Sequence, residues 1–155
     1  MRIDAFLEQS PMFAVHRAAR RFEALSGEAL AADGLSFLEG LSLTAIFFES
    51  PRPVRPSQLA EAFGTTRGNI SHCLSSLEAR GLVLRRIDPE DARAFSLTLR
   101  PLGRRCALRV IAAFDQLQKS FEETVGKQSL SSMLHTLSDL ETIRLAAPPA
   151  VVSRG

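Results

Sequence analysis

The spacing of apolar positions changes from segment to segment along the chain, and each change marks an element. From about Met12 to Ala32, alanine, leucine, phenylalanine and arginine recur at intervals that a helix sorts onto two faces. Pro11 suits the first turn of that helix, and Asp33-Gly34 is a stop signal. The run Leu43 to Glu49 (L-T-A-I-F-F-E) is short and apolar, with Ser42 as a cap and Pro51 and Pro53 beyond its end. Ile46, Phe47 and Phe48 would suit a buried strand, but the neighbouring segments favour a short helix. Pro56 opens a further helix whose Leu59, Ala60 and Phe63 share a face and whose stop is Gly64. Thr65 or Thr66 then caps a helix in which Ile70, Cys73, Leu74 and Leu77 share one face and Gly81 is the end. At 100° per residue the opposite face carries Gly68, Ser71, His72 and Ser75.

The period then drops to two. Leu82 to Ile87 reads as a strand, and Asp88-Pro89-Glu90-Asp91 as a turn. After it Phe95, Leu97 and Leu99 alternate with Ser96 and Thr98. The pair predicts a hairpin with a charged tip. Pro101 opens a long helix in which Cys106, Val110, Ile111, Phe114, Leu117, Phe121 and Val125 step by three or four up to Gly126. Leu130, Met133, Leu134, Leu137, Leu140 and Ile143 do the same in a last helix ahead of Pro148-Pro149. The final V-V-S-R-G has no pattern. The fold class expected is mainly α with a small β-hairpin.

Composition narrows the function. With 155 residues, 45% hydrophobic and 23% charged, the chain can bury a core without disulfides or metals. No apolar run approaches the roughly 18 residues of a membrane span, and the opening M-R-I-D lacks a secretory pattern. A cytoplasmic protein without a membrane partner is expected. Cys73 and Cys106 are too few for a disulfide scaffold. The net charge of +2 hides an asymmetry: residues 51–110 hold 11 of the 19 basic and 5 of the 17 acidic side chains. All the bases of that middle are arginines, because lysine occurs only at Lys119 and Lys127. Arginine's planar fork suits phosphates and guanine edges. On charge alone, a solvated arginine-rich face explains the pattern as well as an anionic partner does.

Two short helices joined by a tight turn and followed by a hairpin make a winged helix-turn-helix. Its second helix lies in the major groove, so its outward face needs small polar residues and donors. Ser71, His72 and Ser75 supply them, with Gly68 leaving room and Arg67 and Asn69 in the first turn. His72 reads as a DNA contact, whereas His16 and His135 stand alone on helices and read as surface or packing residues. Cys73 reads as a small core side chain. No His/Cys/Asp/Glu cluster has metal-ligand spacing, no catalytic motif occurs and no cofactor is expected.

From about Leu43 to Gly103 the sequence resembles the MarR family of bacterial transcriptional regulators. The resemblance rests on L-A-E-A-F-G, T-T-R-G-N-I-S-H-C-L-S-S-L-E-A-R-G-L-V and R-R-I-D-P-E-D-A-R-A-F-S-L-T-L-R-P-L-G. It implies one chain, 1–155, with a DNA-binding lobe at about 43–103 and dimerisation helices at about 1–35 and 104–147. It also implies a homodimer on palindromic double-stranded DNA, acting as a repressor. Arg93 would enter the minor groove and Asp91 orient the wing. Apart from the resemblance, Arg85, Arg86 and Arg104 are expected to meet phosphate. Two positions depart from the family. Arg55 and Arg100 replace the threonine or serine usual before Pro56 and Pro101. Each swap removes an N-cap acceptor, typically worth about 1 kcal/mol, and adds a cation that can reach phosphate. The glutamine of the family's early L-T-x-x-Q pattern is also missing.

A small aromatic or anionic effector is a further expectation, with His16, Arg20, Phe47, Phe48 and Phe114 as its candidate lining. The competing reading of those phenylalanines is plain core. The rival for the whole chain is a winged-helix protein-interaction module that does not bind DNA, which would show apolar residues on the face of the second helix.

Overall fold

The computed structural model describes residues 2–87 and 94–143. The helices are α1 (Arg2–Gln9), α2 (Pro11–Leu30), α3 (Phe37–Glu49), α4 (Pro56–Ala62), α5 (Arg67–Ala79), α6 (Pro101–Val125) and α7 (Lys127–Leu140), with strands β1 (Val83–Ile87) and β2 (Phe95–Leu99) between α5 and α6. A short 3₁₀ turn, Ala31–Asp33, follows α2. The chain divides into two compact units, Met1–Leu117 and Gln118–Gly155. No single helix among the described residues is long and apolar enough to cross a membrane.

In the first unit, one core joins α2, α3, α4, α5, the hairpin and the start of α6. Leu30, Leu43, Ile46, Ile70, Leu74, Leu77, Val83, Leu97 and Val110 are all buried in it. The period-3.6 face expected of α5 is the buried one, with Ile70, Cys73, Leu74 and Leu77 inward. Gly40 lets α2, α3 and α6 come together: a Cβ there would stand 2.9 Å from Leu30 Cδ1 and 3.1 Å from Phe114 Cζ.

The strands pair antiparallel, Val83 opposite Leu99 and Ile87 opposite Phe95. Val54 adds a third, one-residue rung: its N–H donates to Leu97 O at 3.2 Å, and Leu97 N–H donates to Val54 O at 2.8 Å. That clasp ties the approach to α4 to the root of the hairpin.

Several expectations change. The helix expected to begin at Leu43 begins at Phe37. Its cap is Ser36, whose hydroxyl accepts from Glu39 N–H at 3.2 Å while Glu39 accepts from Ser36 N–H at 2.7 Å. Ser42 lies inside the helix and is fully buried, 3.5 Å from Cys73 Sγ. The alternation in β2 holds at Leu97 but not at the outer end of the strand, where Ser96 is buried and Phe95 exposed. An eight-residue helix, α1, precedes Pro11.

In the second unit α7 follows Gly126 and ends at Leu140, three residues before the apolar series does. Its Leu134, Leu137 and Leu140 are exposed, Leu134 to 58%. The C-terminal V-V-S-R-G lies outside the described residues.

Candidate nucleic-acid interface

The interface is built on a helix start. Thr66 is extended at φ −80°, ψ 152°, and its hydroxyl accepts from Asn69 N–H at 3.1 Å, which satisfies one orphan donor of α5. The Asn69 amide donates to Thr65 Oγ1 at 3.1 Å, so both threonines organise this turn. From it α5 projects Arg67, Gly68, Asn69, Ser71, His72 and Ser75, all exposed. Ser75 Oγ donates to Ser71 O at 2.9 Å, leaving its oxygen free to accept. Bulky apolar and acidic groups do not occur among these six positions.

Arg55 precedes α4 with its backbone extended and its side chain half-buried. The missing cap acceptor is partly replaced. Gln58 reaches back so that its Oε1 accepts from Arg55 N–H at 2.7 Å, and Gln58 N–H donates to Arg55 O at 3.0 Å. A glutamine three residues into the helix therefore closes half of a capping box. Arg55, Pro56, Ser57, Arg67, Ala94 and Phe95 line a cleft of about 300 Å³ between the start of α4, the start of α5 and the outer end of β2.

The other arginines separate into different environments. Arg86 is exposed on β1. Arg85 instead turns toward α5: its Nε lies 3.5 Å from Glu78 Oε2, and its guanidinium is 5.5 Å from the centre of the Phe95 ring. Its Nε and Nη2 are buried with no hydrogen-bond partner among the described residues, so it holds β1 to α5 rather than standing in solvent. Arg104 is exposed, with its guanidinium 4.9 Å above Phe47 and Nη1 donating to Ser50 Oγ at 3.4 Å. Asp91 and Arg93 lie outside the described residues.

The residues suggested for an effector are not gathered into one place. His16 and Arg20 are exposed on α2. Phe114 packs edge-on against Phe37 at 5.7 Å, which in turn meets Phe22 at 6.2 Å. Phe47 and Phe48 touch each other at 6.0 Å, and Phe48 is 67% exposed, not core. A cleft of about 400 Å³ opens elsewhere, between the start of α3 and α5, bordered by Ser36, Glu39, Asn69, His72 and Ser76.

Sequence reading missed Glu39, although S-x-x-E ahead of an apolar run signals a capping box. Burial pushes the Glu39 carboxyl up, but hydrogen bonds from Ser76 and Ser36 and the charge of Arg80 outweigh it, and it sits below its ordinary value. It also missed Asp33, held below its ordinary value by hydrogen bonding from Arg109, against some burial, with Cys106 and Arg80 adding to the effect. Burial pushes the Cys73 and Cys106 thiols up, and this keeps them protonated and unreactive at neutral pH. Among the described residues no group of His, Cys, Asp or Glu could hold a metal ion.

A pH prediction follows from the two carboxyls. Their unfolded values are about 3.9 for Asp and 4.3 for Glu, and their folded values are lower. The stability they contribute is fully present above the unfolded values and is lost as pH falls through the folded ones. Urea unfolding at stepped pH below 5 should show stability dropping with acid, and a shallower drop in Glu39→Gln. An unchanged slope in that variant would remove Glu39 from the account.

A family model described as the MarR family matches residues 49–95, from the end of α3 through α4, α5 and β1 to the first residue of β2. That segment of the chain is similar to the MarR family. The stretch that carries the family signal is thus the one that builds the helix-turn-helix and the near strand of the wing. Solved structures share this fold across most of the chain. S. aureus MepR in complex with DNA superposes at a TM-score of 0.79 with 16% identity, covering 86% of this chain and 97% of that one. CouR from Rhodococcus jostii, bound to p-coumaroyl-CoA, gives 0.76 with 23% identity, covering 91% and 98%. Bordetella bronchiseptica BpsR gives 0.77 with 16% identity, covering 88% and 96%. At these identities the likeness is one of fold. No curated protein matches the sequence.

Proposed function

We propose that the chain is a sequence-specific DNA-binding transcriptional regulator that represses from a palindromic operator as a homodimer. The observation that carries this reading is the outward face of α5: six exposed positions with donors and acceptors, small side chains and no acid. Such a face fits a major groove, where base edges are read by hydrogen bonds. It does not fit the rival protein-interaction module, which needs apolar surface on that helix. Relatives in fold support it: MepR and the repressor CouR are each solved on DNA. On this reading Arg67, Asn69, Ser71, His72 and Ser75 meet bases, with Gly68 admitting the groove wall. Arg55, Arg86 and Arg104 meet phosphate, and Arg93 enters the minor groove beside Asp91. Arg85 acts through Glu78 and the wing rather than on phosphate directly.

The dimer rests on surface that one chain leaves bare. Phe6, Met12 and Val15 are exposed on α1 and α2, and Leu134, Leu137 and Leu140 on α7. Soluble monomers avoid apolar patches of that extent, and a two-fold partner would cover them. An effector belongs to the same reading. CouR binds p-coumaroyl-CoA, and 6-hydroxynicotinic acid regulates DNA binding by BpsR, so an aromatic anion is the class to try here. His16, Arg20, Phe47, Phe48 and Phe114 could take part only if a second copy brings further walls to them.

Selection of bound sequences from random DNA by the purified protein tests the function. A palindrome should emerge, and light scattering at micromolar concentration should give twice the chain mass. Arg93→Ala should weaken the selected site by about 1–3 kcal/mol, and Arg104→Ala should weaken all DNA alike and lower the salt slope by about 1. A monomer without sequence preference would refute the reading.

A further inference from the structure

We propose that Asp33, gripped by Arg80 and Arg109, is a positioning residue that sets which half-site spacing the dimer accepts; this rests on the operator-binding reading above. Three elements meet at Asp33-Gly34, the corner where α2 and its 3₁₀ turn end. Arg80 stands at the C-cap of the recognition helix α5. Its Nη1 donates to Gly34 O at 3.0 Å and its Nη2 to Asp33 O at 2.5 Å, so one planar fork holds two successive carbonyls. Arg109, on α6, donates through Nε to Asp33 Oδ1 at 3.1 Å and through Nη2 to the same oxygen. Cys106, one turn earlier on α6, places its Sγ 3.6 Å from Oδ1. Residues separated by 46 and 76 positions in sequence are thus joined at one corner.

The exposure of this cluster argues that it fixes position more than it adds stability. The Arg109 side chain is 57% exposed, and ion pairs in water contribute little net free energy. Arginine forks are directional, however, and a fork that bridges two carbonyls fixes orientation as a lysine ammonium does not. The parts so oriented are the end of the helix that reads DNA, the end of α2 and the first third of α6. In a two-fold dimer the recognition helices must lie about 34 Å apart to meet successive major grooves. How α5 is held against α2 and α6 decides that separation. Each chain carries the same corner, so an angular change at Asp33 enters the dimer twice.

The test measures binding of parent and variants to the selected operator and to versions with one base pair inserted or removed at its centre. The parent should show a sharp optimum. Asp33→Asn keeps the shape and the backbone carbonyls but loses the charge that Arg109 needs. It should bind the native spacing about tenfold more weakly, with the penalty for altered spacing reduced to about threefold or less. Arg80→Lys should relax spacing in the same direction, and Arg109→Lys should retain more of the optimum than Arg109→Ala. The salt slope should stay that of the parent, because no phosphate contact is lost. Melting temperatures should stay within about 3 °C of the parent. If Asp33→Asn and Arg109→Ala keep the parent's spacing optimum, whatever their melting temperatures, the proposal is overturned. Failure of the parent itself to select DNA would overturn the operator reading and this role with it, and is distinguishable because parent and variants then behave alike.

Discussion

Replacing Gly103 by alanine should strongly destabilise the first unit. An alanine Cβ at that position would lie 1.9 Å from the carbonyl oxygen of Leu82 and 2.7 Å from its carbonyl carbon. Both are backbone atoms, so no rotamer change makes room. Leu82 O also accepts from Arg100 N–H at 3.0 Å, which fixes the chain just ahead of α6 against the residue that leads into β1. Relief would require α6 to lift away. That movement breaks the Arg100 bond and uncovers Cys106, Ala107 and Val110, which α6 buries within the same two turns. Overpacking commonly costs 1–3 kcal/mol, and a clash of backbone with backbone belongs at or beyond the top of that range, so a loss of at least about 3 kcal/mol is expected. Urea denaturation followed by circular dichroism measures it. A variant within about 1 kcal/mol of the parent would show that the helix start can shift freely.

Ser71→Glu should abolish operator binding while leaving the fold intact. Ser71 is exposed in the middle of α5, and its backbone carbonyl accepts from Ser75 Oγ. Surface substitutions of this kind stay within about 0.5 kcal/mol of the parent in stability. On DNA the effect is different in kind. A carboxylate would face the base edges between two phosphate chains, and like-charge juxtaposition costs several kcal/mol, so affinity should fall by at least about 100-fold. Ser71→Ala, which removes one hydroxyl, should lose far less. Fluorescence anisotropy at a fixed salt concentration resolves the two. Parent-like affinity in Ser71→Glu would move the reading surface off α5 and favour the protein-interaction rival.

Short-range patterns carried the recognition of the fold a long way. The limits of α5 were legible because each is made by a neighbour in sequence: Thr66 caps Asn69 at one end, and Gly81 turns the chain at the other with φ +68°. Its buried and exposed faces were legible because a 3.6-residue period allows one division of Ile70, Cys73, Leu74 and Leu77 from Ser71, His72 and Ser75. The hairpin followed from a period of two. The family resemblance lay in the same stretch, where local signals are densest.

What was not legible depended on parts of the chain far from one another. Ser42 looked like a cap because it precedes an apolar run; only the approach of α5 makes it a buried neighbour of Cys73. The neighbour of Arg85 could not be read from its place on the wing; only the packing of β1 on α5 brings Glu78 within 3.5 Å. Phe48 stood as candidate effector lining with plain core as the competing reading, and the end of α3 leaves it in solvent. Asp33 read as a helix stop, and its grip by Arg80 and Arg109 came from α5 and α6. The sequence by itself determined the start of α4 at Pro56, the limits of α5 and the apolar face of α5, since capping and periodicity act over three or four residues. Tertiary structure alone decided which polar groups meet, because a charge or hydroxyl has its partner set by whichever distant segment the packed core brings alongside it.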